Sequence, residues 1–226
     1  MNELIRAAKA ENRNLFEHEA WALFRAYGMP TPRCRLVTTA EDATAAALEI
    51  GYPVVLKIVS RDILHKSEAG GVKVNLRDEP AVSAAFSEIT ESAKLYKPKA
   101  RIEGVLVCEM LKPGVECIIG MTRDASFGPT LMFGLGGIFV EVLKDVSFRV
   151  LPLQEEDAEQ MIREIKGYQL LEGIRGEKPK DVGALKELLM KTARMIEENP
   201  EIVELDINPC FVYEKGAMPA DARVML

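Results

Sequence analysis

Histidine is nearly absent from this sequence: 226 residues contain only His18 and His65. Cysteine is sparse too. The four cysteines, Cys34, Cys108, Cys117 and Cys210, are too far apart to form a zinc pattern. Three of them lie in apolar strand-like runs, which reads as small buried hydrophobes rather than metal ligands or a disulfide frame. An excess of positive charge is also missing. The formal charge of -6 and a pI near 5.2 leave no footprint for a polyanion, which excludes nucleic acid as a partner. The apolar runs are strand-sized and broken by charge, and "MNELIRAAKAENRN" has no apolar centre, so neither a membrane span nor an export signal is expected. The expected location is the cytoplasm. No repeat and no low-complexity segment interrupts the chain.

What is present suffices for a core: 48% of residues are hydrophobic and 28% charged, enough for one large domain or two lobes. "LFEHEAWALFRAY" predicts a helix stopping at Gly28. "TTAEDATAAALEIG" predicts a second, with Thr38 as N-cap, Glu41 three residues on, and Gly51 as the stop. "PVVLKIV", "GGVKVNL", "GVLVCEML", "GVECIIGMTRD", "GPTLMFGLGG" and "SFRVLPL" read as strands, with a helix from Asp78 to about Lys97 between the second and third. Helices follow in "EEDAEQMIREIKGY" and "DVGALKELLMKTARMIEEN", the latter apolar at Leu185, Leu188, Leu189, Ala193 and Ile196. The last 26 residues read as two strands joined by a glycine-containing turn. Strict strand–helix alternation is lacking, so the expected class is α+β with mixed or antiparallel strands. Two lobes, 1–108 and 109–226, with a cleft between them, are the expected organisation.

A few polar residues interrupt apolar runs. Lys57 in "VVLKIV" must reach water, a carboxylate or a ligand phosphate, because burying an unpaired ammonium is prohibitive. In "VELDINPCF", Glu204, Asp206 and Asn208 are spaced by two and project from one face, with Val203, Leu205 and Ile207 on the other. Such a face is either solvated or an oxygen-rich wall for a hard cation such as magnesium. A hairpin from Pro209 to Ala220 brings Asp221 opposite that strand. Magnesium keeps waters and takes few protein oxygens, so this count suits a metal–nucleotide site better than a metal cage. Glu109 in "LVCEML" and Glu116 in "GVECIIG" are edge residues or hydrogen-bond acceptors for a ribose. His18, among glutamates on a helix, has no evident task. The glycines of "FGLGG" mark either a tight turn or a close backbone approach, and Glu141 just beyond has no assignment.

Taken in order, "VVLKIVS", "EAGGVKVNL", "VCEML", "GVECIIGMTRD", "FGLGGIFVE" and "ELDINPCFV" resemble the ATP-grasp β subunits of ADP-forming acyl-CoA (acetyl-CoA) synthetases, relatives of the succinyl-CoA synthetase β chain. The resemblance runs from about residue 15 to the C-terminus. It implies an ATP-grasp fold holding ATP or ADP between two α+β lobes. By it, Lys57 contacts the phosphates, the backbone around Glu109 and Leu111 reads adenine, Glu116 binds the ribose, and Asn208 and Asp221 are Mg2+ ligands. His65, in "SRDILHKSEAGG", matches a shuttle phosphohistidine that passes a phosphoryl group from an α-subunit histidine to ADP, and Asp206 matches the residue that orients it. Imidazole suits such a relay, being a nucleophile near neutral pH whose phosphoramidate is a strong donor. Lys66, Ser67 and Glu68 are read as solvated loop residues.

The implied reaction is acyl-CoA + ADP + phosphate = carboxylic acid + ATP + CoA. No G-x-G-x-x-G unit and no coenzyme A domain is evident, so the expected partner is an α subunit carrying the CoA site and the first phosphohistidine, in an α2β2 hetero-oligomer. Acyl-CoA and carboxylic acid are then met through that subunit. The loop "RDILHKSE" departs from the glycine-rich loop of the succinyl-CoA relatives, which argues against phosphate cradling by its backbone. The alternatives are a stand-alone ATP-grasp carboxylate–amine ligase and a non-catalytic nucleotide-sensing module.

Overall fold

A computed structural model describes residues 2–137, 144–174 and 176–226. The chain forms two compact units: residues 32–112, and residues 1–31 together with 113–226. The helices before residue 32 thus group with the C-terminal unit, whereas the sequence had suggested lobes of 1–108 and 109–226.

The unit of residues 32–112 is built from β1 (Cys34–Val37), α3 (Ala40–Ile50), β2 (Val54–Ser60), β3 (Val72–Leu76), α4 (Glu79–Tyr96) and β4 (Ile102–Glu109). Its sheet is antiparallel in the order β1-β4-β2-β3. Val54, Leu56 and Ile58 of β2 alternate inward with Val105 and Val107 of β4, packing on Ala46 and Ala47 of α3 and Ile89 of α4. α4 begins as its sequence requires. Asp78 accepts the Ala81 N–H at 2.9 Å, and Pro80 occupies the first turn, where a missing N–H costs nothing. α3 is capped by Thr39, which accepts from Asp42 N–H at 3.1 Å, one residue later than the expected Thr38.

β1 is a strand that composition did not suggest, and it overturns the reading of two cysteines. Cys34 stands directly opposite Cys108 across β1 and β4, and the two are joined in a disulfide. They lie 74 residues apart, so only the strand pairing discloses them. Cys117 and Cys210 fit the sequence reading as buried free thiols.

The other unit opens with α1 (Glu3–Ala10), unforeseen in the sequence but capped by the Asn2 side chain on Leu4 N–H at 2.9 Å. α2 (Glu17–Ala26) follows and packs on the last strand. The remaining elements are β5 (Val115–Asp124), β6 (Gly128–Leu135), β7 (Val146–Val150), α5 (Glu155–Glu164), the short α6 (Gln169–Glu172), α7 (Val182–Glu198), β8 (Glu204–Val212), β9 (Ala217–Pro219) and β10 (Ala222–Met225). The sheet runs β10-β8-β5-β6-β7, antiparallel throughout, with β9 also pairing β8. α7 buries Leu185, Leu188, Leu189, Ala193 and Ile196, the stripe its sequence displays.

Its start is tied to the strands by Asp181, whose carboxylate accepts Ala184 N–H at 2.9 Å and Gly216 N–H at 2.8 Å. Two backbone donors hold that carboxyl below the usual Asp range. The return strand expected after β8 is two strands, β9 and β10, with a break at Ala220 and Asp221. Among the described residues, no helix is long and apolar enough to cross a membrane. Glu141 lies outside the described residues.

Candidate functional site

Along β8 the burial alternates: Leu205 and Ile207 are buried, Asp206 is half-buried and Asn208 exposed. The sequence reading of "ELDIN" is therefore the strand's actual orientation. Leu205 and Ile207 face the core because apolar burial outweighs any other phase, and this turns Glu204, Asp206 and Asn208 outward together. The pairing with β5 shifts register beyond Ile207, so that Ile207 and Cys210 are both fully buried with Asn208 and Pro209 between them. Asp221 comes opposite at the break between β9 and β10, where Asn208 N–H donates to its carbonyl at 3.3 Å. Bringing Asn208 and Asp221 together is thus a backbone achievement, made by the same hairpin the spacing suggested.

Asp206 sits opposite Gly120 of β5 and Arg223 of β10. Burial pushes its carboxyl above the ordinary Asp value; Asp221 and Glu204 push the same way, and Arg223 opposes them. Arg223 is held by Glu204 at 2.6 Å. Glu204, Asp206 and Arg223 line a cavity of about 260 Å³ together with Thr130, Met132 and Phe148. Sequence reasoning overlooked Arg223, although its place in the last strand, two residues after Asp221, carries the period-two signal that marked its neighbours.

Glu116 is exposed near the start of β5, on the same open face as Gly120. Gly136 and Gly137 of "FGLGG" meet it there. Gly136 N–H donates to the Glu116 carbonyl at 2.7 Å, and a Cβ on Gly136 would lie 3.0 Å from the Glu116 Cβ. Gly137 has φ +61°, a backbone region few side chains tolerate. Gly136 and Gly137 are therefore a close backbone approach to Glu116.

The remaining candidates belong to the 32–112 unit. Lys57, in β2 between Val72 and Leu106, is 6% exposed and alternates away from the face packed by α3 and α4. Glu109 ends β4 with its side chain committed. Its carboxylate accepts Arg33 N–H at 2.8 Å and pairs with the Arg33 guanidinium at 3.1 Å, while its own N–H donates to the Arg33 carbonyl at 2.9 Å. The next residue's N–H, that of Met110, donates to the Pro53 carbonyl at 3.2 Å. Leu111 lies half-buried just past the strand.

His65 is displayed at the surface, its side chain 63% exposed, in a turn closed by Ala69 N–H on the His65 carbonyl at 3.2 Å. Its Nδ1 lies 4.0 Å from Glu68 Oε1, too long for a hydrogen bond but an ion pair once the ring is protonated. Glu68 is itself exposed, the solvated loop residue the sequence suggests, and its i,i+3 spacing in the turn sets this proximity.

The metal reading can be tested on these side chains. Asn208 and Asp221 adjoin through the backbone, and Asp206, whose pKa is raised by burial first and by Asp221 and Glu204 after it, lies on the same strand as Asn208. Among the described residues, no cluster of three or more acidic, His or Cys side chains could hold a metal ion by itself. The set fits magnesium held by a few protein oxygens, with water and phosphate completing its shell.

Two α+β units, one presenting an acid-lined open sheet face and the other a lysine on an inner strand, define an ATP-grasp domain, and the ATP-grasp family model matches residues 6–226. The chain is 52% identical to the ADP-forming acetate–CoA ligase I subunit beta of Pyrococcus furiosus, over 99% of this chain and 97% of that one. Among solved structures it superposes on the dinucleotide-forming acetyl-coenzyme A synthetase 1 of Ca. Korarchaeum cryptofilum, in complex with coenzyme A, Ca-AMPCP and HgCl+, with TM-score 0.96 and 52% identity over 99% and 98% of the two chains. A second structure of that enzyme carries coenzyme A and Mg-AMPPCP and has its phosphohistidine segment pointing towards the nucleotide binding site. It gives TM-score 0.87 and 49% identity over 99% and 98% of the chains. The chain belongs to the ATP-grasp β subunits of ADP-forming acetate–CoA ligases.

Proposed function

We propose that this chain binds the nucleotide and performs the last phosphoryl transfer of an ADP-forming acyl-CoA synthetase, with His65 as the relay. The observation that carries the reading is the display of His65: a surface imidazole on a tight turn whose base is locked into the fold. Lys57 contacts the phosphates, the backbone from Glu109 to Leu111 reads the base, and Glu116 accepts from the ribose hydroxyls. Asn208 and Asp221 hold magnesium, which neutralises phosphate charge when bound.

The transfer has two halves. A ring nitrogen of His65 attacks the phosphorus of a phosphohistidine on the partner α subunit; that P–N bond breaks as the new one forms. A terminal oxygen of ADP then attacks the same phosphorus, the His65 P–N bond breaks, and the imidazole returns neutral. Asp206 orients the ring and supports its cationic form during the exchange. An α partner, which the naming of the Pyrococcus relative as a subunit beta supports, supplies the CoA and acyl sites. The nucleotide and magnesium roles draw support from the Mg-AMPPCP complex of the Korarchaeum enzyme.

The test is the reverse half-reaction. Incubated with gamma-labelled ATP and magnesium, the protein acquires an acid-labile, alkali-stable label, and His65→Asn does not. An unlabelled wild type would rule the relay out and favour a carboxylate–amine ligase or a nucleotide sensor.

A further inference from the structure

The run around His65 is exposed only in its middle. Leu64, His65, Ser67 and Glu68 face solvent, while Ile63 and Ala69 on either side are each 4% exposed and belong to the core of the 32–112 unit, with Val54, Leu56 and Ile89. Beyond these two, the chain is fastened. Asp62 accepts Arg101 N–H at 2.8 Å and its carbonyl accepts from Lys97 at 2.9 Å, while Gly71 accepts Ile58 N–H at 2.7 Å. Between them the turn holds itself together: Ala69, Gly70 and Gly71 donate to the carbonyls of His65, Ser67 and Lys66.

Seating the two feet limits how far the arm can reach. With Ile63 and Ala69 seated, the five residues between them lift an apex by roughly 9 Å at full extension; with both released, the eight residues between Asp62 and Gly71 lift it by roughly 14 Å. Either value is reached only with the hydrogen bonds of the turn broken. Releasing the two apolar feet lets the turn lift and its hydrogen bonds open, pivoting where Gly70 has φ +65° and Gly71 leaves no room for a side chain against Ile58.

We infer that Ile63 and Ala69 are latches: they hold His65 in one position, and their withdrawal from the core is the step that frees the arm. This rests on the relay proposed above. The two residues touch no substrate; they act by setting how often the arm is released. Ile63 carries most of the hold, since its side chain buries far more apolar surface than a methyl group. Leu64, 48% exposed beside the histidine, gives the released arm an apolar residue to seat elsewhere.

Hydrogen exchange on the full-length protein tests the latch without using the reaction. In Ile63→Ala, the amides of Ala69, Gly70 and Gly71 are expected to exchange faster by on the order of tenfold or more, with β2, β4 and α4 unchanged and Ile63→Leu close to wild type. If exchange rises across the whole 32–112 unit in step, or does not rise in the turn, Ile63 is ordinary core and the inference is overturned. The labelling reaction gives a second readout: Ile63→Ala is expected to change the rate of phosphoryl uptake without changing the ATP concentration for half-maximal labelling. A rate equal to wild type overturns the latch as well. A wild type that takes no label defeats the relay, and the exchange result then still decides whether the feet hold the turn.

Discussion

Cys34 and Cys108 are cross-strand partners, joined in a disulfide that ties the edge strand β1 to β4 one residue before Glu109. The bridge closes a loop of 74 residues, nearly the whole of the 32–112 unit. Constraining the unfolded chain over that length contributes on the order of 2–4 kcal/mol. Denaturation monitored with and without reductant is expected to show a loss of that size, and Cys34→Ser is expected to match the reduced protein and be insensitive to reductant. Identical midpoints for oxidised and reduced protein would mean that the bridge adds nothing.

A separate expectation concerns the other two cysteines. Cys117 and Cys210 also stand opposite one another, across β5 and β8, yet are free and fully buried. Burial pushes both thiols up, Cys210 to about 12, so neither offers a thiolate near neutral pH. Native, oxidised protein should therefore react with almost no thiol reagent, and unfolding without reductant should expose two thiols. Four on unfolding, or a fast-reacting thiol in the folded state, would contradict this pairing.

Asp181 predicts an acid-sensitive joint between α7 and the β8–β9 hairpin. Its folded pKa is depressed by the Gly216 and Ala184 N–H groups, so its contribution is complete above the unfolded value, about 3.9, and is lost as pH falls through the lower folded value. Asp181→Ala also removes a helix cap, worth roughly 1 kcal/mol. Thermal unfolding at pH 7 should show that deficit, and the gap to wild type should shrink below about pH 4. A gap that stays constant into acid would show that the carboxylate charge is not involved.

How far the sequence discloses this molecule depends on the range of the interactions. β8 and α7 are legible because alternation in "ELDIN" and the helical stripe from Leu185 to Ile196 are local consequences of which side meets the core. β1 is not. Its four residues are too few for a pattern, and they are a strand because β4 pairs with them. The disulfide is hidden for the same reason. The grouping of α2 with the C-terminal sheet is likewise non-local, set by its packing on β10 and by Leu15 N–H donating to Val224 at 3.3 Å. At α3 the local signal was ambiguous, since Thr38 and Thr39 each precede an acid at the right distance. Within the site, the acids of β8 were readable from spacing, whereas Arg223 and Gly136 matter through residues of other strands.

Gly136 yields a prediction of that kind. An added methyl group would meet the Glu116 side chain at 3.0 Å and its carbonyl carbon at 3.3 Å, so Gly136→Ala must displace Glu116 or bend the end of β6. If Glu116 binds the ribose, nucleotide affinity should fall by about tenfold, the worth of roughly one hydrogen bond, while overall stability changes by only about 1–2 kcal/mol. Calorimetric titration with ADP measures the first and denaturation the second. Unchanged ADP affinity would leave the glycines a purely structural turn.

Asp206 sets function against stability in one side chain. It is half-buried, and burial, with Asp221 and Glu204 pushing the same way, outweighs the help it receives from Arg223, so a carboxylate there costs the fold free energy at neutral pH. Asp206→Asn keeps the shape, removes the charge and is expected to raise the midpoint of thermal unfolding at pH 7 in the absence of nucleotide. Sites shaped by function commonly carry such a cost. The same substitution removes the carboxylate proposed to orient His65, so labelling by gamma-labelled ATP should be lost, and ADP binding, proposed to depend on Lys57, Glu116 and the backbone near Leu111, should persist. Asp206→Ala should behave alike in labelling, though it trades the electrostatic gain for lost packing. A variant that labels at the wild-type rate would remove Asp206 from the relay. One that loses ADP binding together with labelling would assign it to nucleotide binding instead.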